Sequence, residues 1–438
     1  MAVPEKILII GGGVFGLSTA LSLSKRHPTS QITLLEASPT IPNPHGSSVD
    51  SSRIIRADYS HPTYAKLAAE ATGRWRRTEW GHDGRYTQNG LLLVYPDGDS
   101  TAKDYTTKSY SNVKQLGENA QFLPTKADVL RVAPAYGETL KVAGGYVNWS
   151  SGWADAEAGV RYAKQLLDKE GKVRFVTGEA TRLLFADDSS STVKGVLLAD
   201  NTSLTADLVV LATGAWTASL VDLRGRAVST GQAIAYMRIS DAEQRALEHM
   251  PTILNFATGI FIIPPRNNIL KIARHAYGYH NPKAVPVPGS TTGETMHVSI
   301  PEKGVPIPLE GETAFRTALQ QLLPSFAERP FIDTRVCWYT DTPKANFIIT
   351  HHPSYKNLFL ATGGSGHGYK FFPIIGDKVV DAIEGTLDPE LKSLWDWPEA
   401  VDEENFEGTE DGSRSGAKKL LLMEELAKTK KAARVGVL

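Results

Sequence analysis

Short, mostly apolar runs bounded by glycine or polar turns alternate with segments of helical spacing over the first half of the chain, and this predicts buried parallel strands with helices between them. A strand over 6–10 (KILII) leads into a helix over 14–26 and a second strand over 31–35. Residues 38–60 lack a period and are rich in Ser, Pro and His, so they read as one long ordered loop. A helix over 65–80, a strand over 90–94 and a short helix over 109–116 follow. Ala156, Val160, Ala163, Leu166 and Leu167 share one face of an amphipathic helix over 154–170, with a strand after it at 173–176. Strands at 181–185, 193–199 and 204–206 form a small antiparallel meander. The wholly apolar run 208–211 then belongs beside the first strand and closes on the small residues 212–215 and Trp216. From 224 to 335 the text changes to strands at 233–239, 259–265, 269–275 and 296–300 with a helix over 312–323, the pattern of an antiparallel sheet under helices. A strand ending in glycines at 358–364 and a helix over 374–384 return to the first pattern, so both domains are discontinuous. After Trp397 an acidic, glycine-containing stretch reads as a surface linker, and the basic helix beyond it as solvated or packed on its own protein.

The first strand-to-helix turn carries chemistry. Gly11 permits a sharp turn, Gly13 clears a side chain where a pyrophosphate approaches, and Gly16 lets helix and strand pack closely. Val14 and Phe15 open the helix, whose unpaired amides face the phosphates. Glu36, twenty residues after Gly16, closes the second strand, where its carboxylate can accept from both hydroxyls of an adenosine ribose and would repel a phosphorylated one. This predicts a dinucleotide and leaves NAD and FAD open.

Length and composition narrow the classes. A chain of 438 residues buries ample core without staples. Its 47 basic and 48 acidic residues create no global field for nucleic acid. One cysteine, Cys337, precludes an internal disulfide and makes a cysteine-based metal cluster implausible; no metal site is expected. No apolar stretch approaches a membrane span, and MAVPEK runs into the first strand with no room for a signal peptide. The expectation is a soluble monomer, cytoplasmic or peroxisomal and not secreted, although the final GVL is no peroxisomal tripeptide, with the sequons at Asn148 and Asn201 idle.

Strand-then-glycine units at 7–16, 208–214 and 358–368 favour FAD, which lies extended across one domain and reaches a second. The segment RVCWYTDTPKANFIITHHPSYKNLFLATGGSGHGYKFFPIIGDKV resembles the C-terminal flavin segment of the monomeric sarcosine oxidase family, which includes the fungal fructosyl amino acid oxidases (amadoriases) and the pipecolate and saccharopine oxidases. SSRIIRADYS resembles the sarcosine oxidase loop, GWADAEAGVRYA is closer to the fungal members, and the similarity runs from about residue 5 to 390. It implies an α/β fold: a Rossmann-type, glutathione-reductase-like FAD domain (1–90, 150–223 and 331–390) and an antiparallel-sheet substrate domain (91–149 and 224–330) in a D-amino-acid-oxidase-like architecture, with 391–438 as linker and tail.

The resemblance also implies roles. Cys337 would join the flavin ring through sulfur, a step that needs a thiolate beside an electron-poor isoalloxazine. Arg56 and Lys370 would clamp a substrate carboxylate, the guanidinium as a fixed fork and the ammonium as a point charge, with Arg53 nearer the flavin. Lys271 would stabilise negative charge developing on dioxygen, and His275 would stand on the substrate side. Lys271, Arg53 and His275 are thus the catalytic candidates, and Tyr339 and Ile262 join the substrate pocket, whose apolar lining would also draw on Phe261, Trp338 and Tyr369. Ser52, Gly214, Trp216, Gly364, Gly366, His367 and Gly368 complete the cofactor contacts.

Two departures bear on substrate. Sarcosine oxidases carry a histidine shortly before the arginine pair, where this chain has Val49-Asp50, and their substrate-strand tyrosine appears here as Ile262 or a neighbour. Typical amadoriases lack the SRIIR pattern. The expected reaction is FAD-dependent oxidation of a secondary-amine amino acid to an imine that hydrolyses, with dioxygen leaving as hydrogen peroxide. A flavin-dependent dehydrogenase or tailoring enzyme of the same chemistry, and a non-catalytic flavin binder, are the alternatives.

Overall fold

The computed structural model describes residues 3–186, 189–290, 293–402, 409 and 412–434. Among these, one sheet runs Ile348–His351, Leu358–Thr362, Leu208–Leu211, Lys6–Ile10, Gln31–Glu36, Val173–Thr177, parallel throughout except at its first edge. Leu208–Leu211 does lie beside Lys6–Ile10, with Ile7 opposite Leu208. Strands buried on both faces account for the nearly unbroken apolar runs. The helices Val14–Arg26 and Phe372–Glu384 cross closely on one face, where a Cβ on Gly376 would come within 1.9 Å of Ser18 O.

The second sheet is larger and mixed. Its centre is Val228–Arg238, hydrogen-bonded on one side to Ile269–Arg274 and on the other to Asp333–Asp341, all antiparallel. Asp333–Asp341, grouped by sequence with the dinucleotide segments, therefore belongs by hydrogen bonding to the substrate-side sheet. Thr252–Asn255 beside Leu91–Tyr95, and Leu420–Leu421 beside Tyr279–His280, are parallel pairs within it. One face packs Ala233, Ala235, Met237, Leu270 and Ile272 against the helix Leu309–Leu322. The opposite face carries Ile234, Tyr236, Lys271, Ala273 and Cys337, with Tyr236 and Lys271 reaching the segment that holds Asp50 and Ser52.

Several elements differ from expectation. The long loop contains the strand Arg53–Ile55, paired with Gly152–Ala154, which fixes the arginine segment against the rest of the molecule. The helix expected over 109–116 spans Ser100–Gln115; Asp99 caps it by accepting from Ala102 N at 2.9 Å. The stretch after Trp397 is not simply a surface linker. Arg414 and Ser415 are buried, Ser415 bridges Ala276, and the helix Leu422–Arg434 packs on Leu309–Leu322.

Candidate active site

A continuous cavity runs from Glu36 past Gly11, Gly13, Val14 and Phe15, beneath Gly214 and Trp216, along Gly364, Gly366 and Gly368, to Arg53 and Tyr339. Glycines line much of it, and close contacts in and beside it account for several of them. A Cβ on Gly16 would lie 1.8 Å from Gly11 O, and one on Gly366 2.4 Å from the Tyr339 ring. Gly11 has φ +108°, outside the range of ordinary side chains. Glu36 accepts from Gly12 N (2.7 Å), Ser38 N (2.9 Å) and Asn43 Nδ2 (2.8 Å). A carboxylate has about four acceptor positions, so this arrangement leaves room for one ribose hydroxyl rather than two. Ser48 accepts from Val14 N at 3.0 Å, tying the following loop to the helix N-terminus.

At the far end of the cavity a charge cluster is built around Asp50, which is fully buried. Lys271 Nζ donates to Asp50 Oδ2 (2.7 Å) and to Ser52 O (2.7 Å), Tyr236 donates to Asp50 Oδ1 (2.6 Å), and Arg53 pairs with the same carboxylate. Arg53 Nη2 also donates to Ser47 O at 3.0 Å and lies 3.3 Å from Cys337 Sγ. Burial alone would raise the Asp50 carboxyl, but Lys271 and Arg53 hold it far below the usual carboxylate range. Burial, with repulsion from Arg53, lowers Lys271 to about 8 against the pull of Asp50.

Arg56 and Lys370 form a second cationic group. Lys370 Nζ donates to Tyr59 Oη (2.8 Å) and His367 O (2.8 Å), and the Arg56 guanidinium lies over the same Tyr59 ring, 4.7 Å from its centroid. His367 Nε2 meets Ala345 O at 2.7 Å, so Nε2 carries the proton and Nδ1 accepts from Tyr59 Oη at 2.9 Å. Burial, and then the neighbouring Arg56, push Lys370 well below its ordinary value. Arg56 Nη1 is buried with no hydrogen-bond partner among the described residues. Tyr105 and the buried carboxyl of Asp58 also act on this guanidinium, so among the described residues Nη1 is its one donor left over for a further acceptor.

Residues 6–382 match the family model described as FAD dependent oxidoreductase (DAO). The chain belongs to that family. It is 32% identical to the amino acid oxidase imqH of Aspergillus flavus, over 91% of this chain and 98% of that one. It is 29% identical to the L-saccharopine oxidase of Schizosaccharomyces pombe, over 90% and 93% of the two chains. A modified fructosyl peptide oxidase from Aspergillus nidulans superposes with a TM-score of 0.86 at 28% identity, covering 97% of this chain and 99% of that structure. The chain is thus a flavoprotein oxidase of the CH–NH class, and FAD fits the cradle: glycines where phosphates approach, an acid at the ribose, and space continuing to the charge cluster.

In this DAO-family protein most of the expected residues converge, and some do not. Cys337 is buried and faces Arg53 from the sheet face turned to the cavity. Tyr339 lines the cavity, and burial pushes its hydroxyl up to about 12. Ser52 contributes its carbonyl to Lys271. Ile262 is a correction: it is 2% exposed and packs with Ile253 and Ile272 on the opposite face of the sheet, while its neighbour Phe261 turns to the site, its ring centroid 5.9 Å from Lys271 Nζ. Trp338 likewise points away, donating to Glu302 O at 3.1 Å. His367 and Lys370 face Tyr59 rather than the cofactor cavity. His275 lies 5.7 Å from the Tyr339 ring and meets Arg414. Sequence reasoning missed Asp50, Tyr59 and Arg414. The one available signal was Asp50 standing where sarcosine oxidases have a histidine.

Proposed function

We propose that this protein oxidises an amino acid bearing a secondary amine, with the carboxylate held by Arg56 and Lys370 and the amine-bearing carbon presented towards the cavity end marked by Arg53, Lys271 and Tyr339. The observation that carries the reading is the buried, partnerless Arg56 Nη1 beside Lys370. A carboxylate placed there satisfies that donor and adds to Asp58 in offsetting the two cationic side chains. FAD, held along the glycine cradle and at Glu36, would supply the two-electron acceptor, with dioxygen as the final oxidant and hydrogen peroxide as the product. Lys271, held by Asp50 and Ser52, is a fixed cation for that second half of the cycle. Cys337 is proposed as the covalent tether, on the support of its burial on the cavity side of the sheet beside Arg53. Phe261 and Tyr339 border the amine substituent. Each chain supplies all of these residues, so a monomer suffices.

A peroxide-coupled screen over sarcosine, N-methyl aromatic amino acids, pipecolate, saccharopine and fructosyl amino acids tests the substrate class, with turnover expected on at least one. The matching decarboxylated amine should be oxidised with a KM at least about a hundredfold higher, the loss of a buried charge-assisted pair. Silence over the panel, or equal KM values for acid and amine, refutes the reading. For the tether, acid precipitation should leave the yellow colour in the pellet, and Cys337→Ser should move it to the supernatant.

A further inference from the structure

Arg414 lies beyond the region that matches the family model, on a segment that reads by composition as a linker, yet its side chain is 1% exposed. Each of its nitrogens has a partner. Nε donates to Thr409 Oγ1 (3.1 Å), Nη2 pairs with Asp341 and donates to Ser365 O (3.0 Å), and Nη1 meets His275 Nδ1 at 2.8 Å. Asp341 is itself held by Thr230 Oγ1 at 2.6 Å, and Ala276, next to His275, exchanges bonds with Gln232 at 2.9 and 3.1 Å. Arg414 therefore joins the glycine turn after Leu358–Thr362 to the substrate-side sheet, with the guanidinium 5.1 Å from the Tyr339 ring centroid. Its donors are committed within the protein, which sets it apart from Arg56.

The chemistry at His275 follows from the donor inventory. Arginine only donates, so His275 Nδ1 must accept and Nε2 must carry the ring proton. Nε2 then has Ser413 Oγ, at a long 3.4 Å, as its partner among the described residues. A second proton would set an N–H against the guanidinium N–H. We propose that Arg414 is a positioning residue which locks His275 as the neutral Nε2–H tautomer, so that the C-terminal segment is a working part of the site and His275 serves as a fixed donor, not a base. The groups that face it are Arg414 from the C-terminal segment, Arg56 just after the Arg53–Ile55 strand, His367 from the glycine turn and Lys370 from the helical turn Tyr369–Phe371; Tyr339 on the facing strand has its hydroxyl pushed up and is neutral. Burial first, and then the cations Arg414 and Arg56, hold the His275 ring well below its ordinary value.

The inference rests on the proposed substrate site for its catalytic meaning, but its test needs no substrate. In the full-length holoenzyme labelled with 15N-histidine, two-bond proton–nitrogen spectra should show His275, assigned by loss of its signals in His275→Gln, with an unprotonated Nδ1 and a protonated Nε2, unchanged from pH 6 to 8. In Arg414→Met the ring stays buried beside Arg56 but loses the donor that fixes its tautomer, so the spectra should show the proton shared between Nδ1 and Nε2, and Arg414→Lys, which keeps a donor, should restore the locked form at least in part. A proton on Nδ1 in the unaltered protein, or titration of His275 between pH 6 and 8, overturns the lock; so does an unchanged His275 in flavin-loaded Arg414→Met. Should that variant fail to bind flavin, the unaltered protein and His275→Gln decide the matter alone. A locked His275 in a protein that turns over no amine supports the lock and refutes the substrate assignment instead.

Discussion

Asp50 accepts from Lys271, Arg53 and Tyr236, and among the described residues it is the acid that faces a cluster of cations including Arg335. Its first consequence concerns pH. Lys271 is held at about 8, so it is charged below that pH and neutral above it. Reoxidation of reduced enzyme by dioxygen, measured by rapid mixing, should therefore be fast at pH 6 to 7 and fall as pH rises through about 8. Asp50→Asn removes the attraction that opposes burial, so the inflection should move to lower pH and the rate at pH 7.5 should drop roughly tenfold or more. An inflection that stays in place would show that Asp50 does not govern Lys271. Arg53, Arg56 and Lys370 stand in dense motifs and Lys271 as a lone cation in an apolar strand, which is what draws attention to them in the sequence. Asp50 was visible only as a departure, since its partner Lys271 is 221 residues away and nothing local announces the pairing.

At the scale of elements, the misplacement of Ile262 has a definite cause. Residues 260–263 are all apolar and the strand is covered on both faces, so period-two alternation carries no information about which face holds the site. The short reading of Ser100–Gln115 fails for the opposite reason. Its buried stripe of Ala102, Tyr105, Thr106, Ser109 and Val113 has helical spacing, but two of its members are hydroxyl residues that hydropathy counts as polar. Glycines, in contrast, report close approaches faithfully. Gly376 lies within the helix Phe372–Glu384 and faces Ser18, whose Oγ accepts from Gly376 N at 2.8 Å and donates to Phe372 O at 2.8 Å. Gly376→Ala would set a methyl group 1.9 Å from backbone, so the two helices must separate. The expected loss is about 1–3 kcal/mol, more than the helical propensity gained by alanine, which is about 1 kcal/mol. Thermal unfolding of the holoenzyme measures it, and a melting temperature equal to or above that of the unaltered protein would show that the crossing is loose.

Across the whole molecule, the site lies where the glycine ends of the parallel sheet meet one face of the mixed sheet, and the C-terminal segment crosses that junction through Arg414. The discontinuous arrangement could be read from recurring strand-then-glycine units, because each such unit is local. The crossing could not, since an arginine in an acidic, glycine-containing stretch looks solvated until Asp341, 73 residues earlier, is brought against it. The same contrast between global and local charge decides how substrate is drawn in. With a formal net charge of −1 the protein offers little long-range attraction to an anionic amino acid. The proposed clamp, Arg56 with Lys370, is buried away from water. At 0.1 M salt the Debye length is already about 10 Å, and raising salt further weakens exposed charges while barely touching buried ones. The value of kcat/KM for a carboxylate substrate should therefore change by less than about twofold between 50 and 500 mM NaCl, even though Arg56→Ala raises KM by about a hundredfold or more. A steep fall with salt would mean that the carboxylate is first gathered by surface charges and that the buried pair is not what selects it.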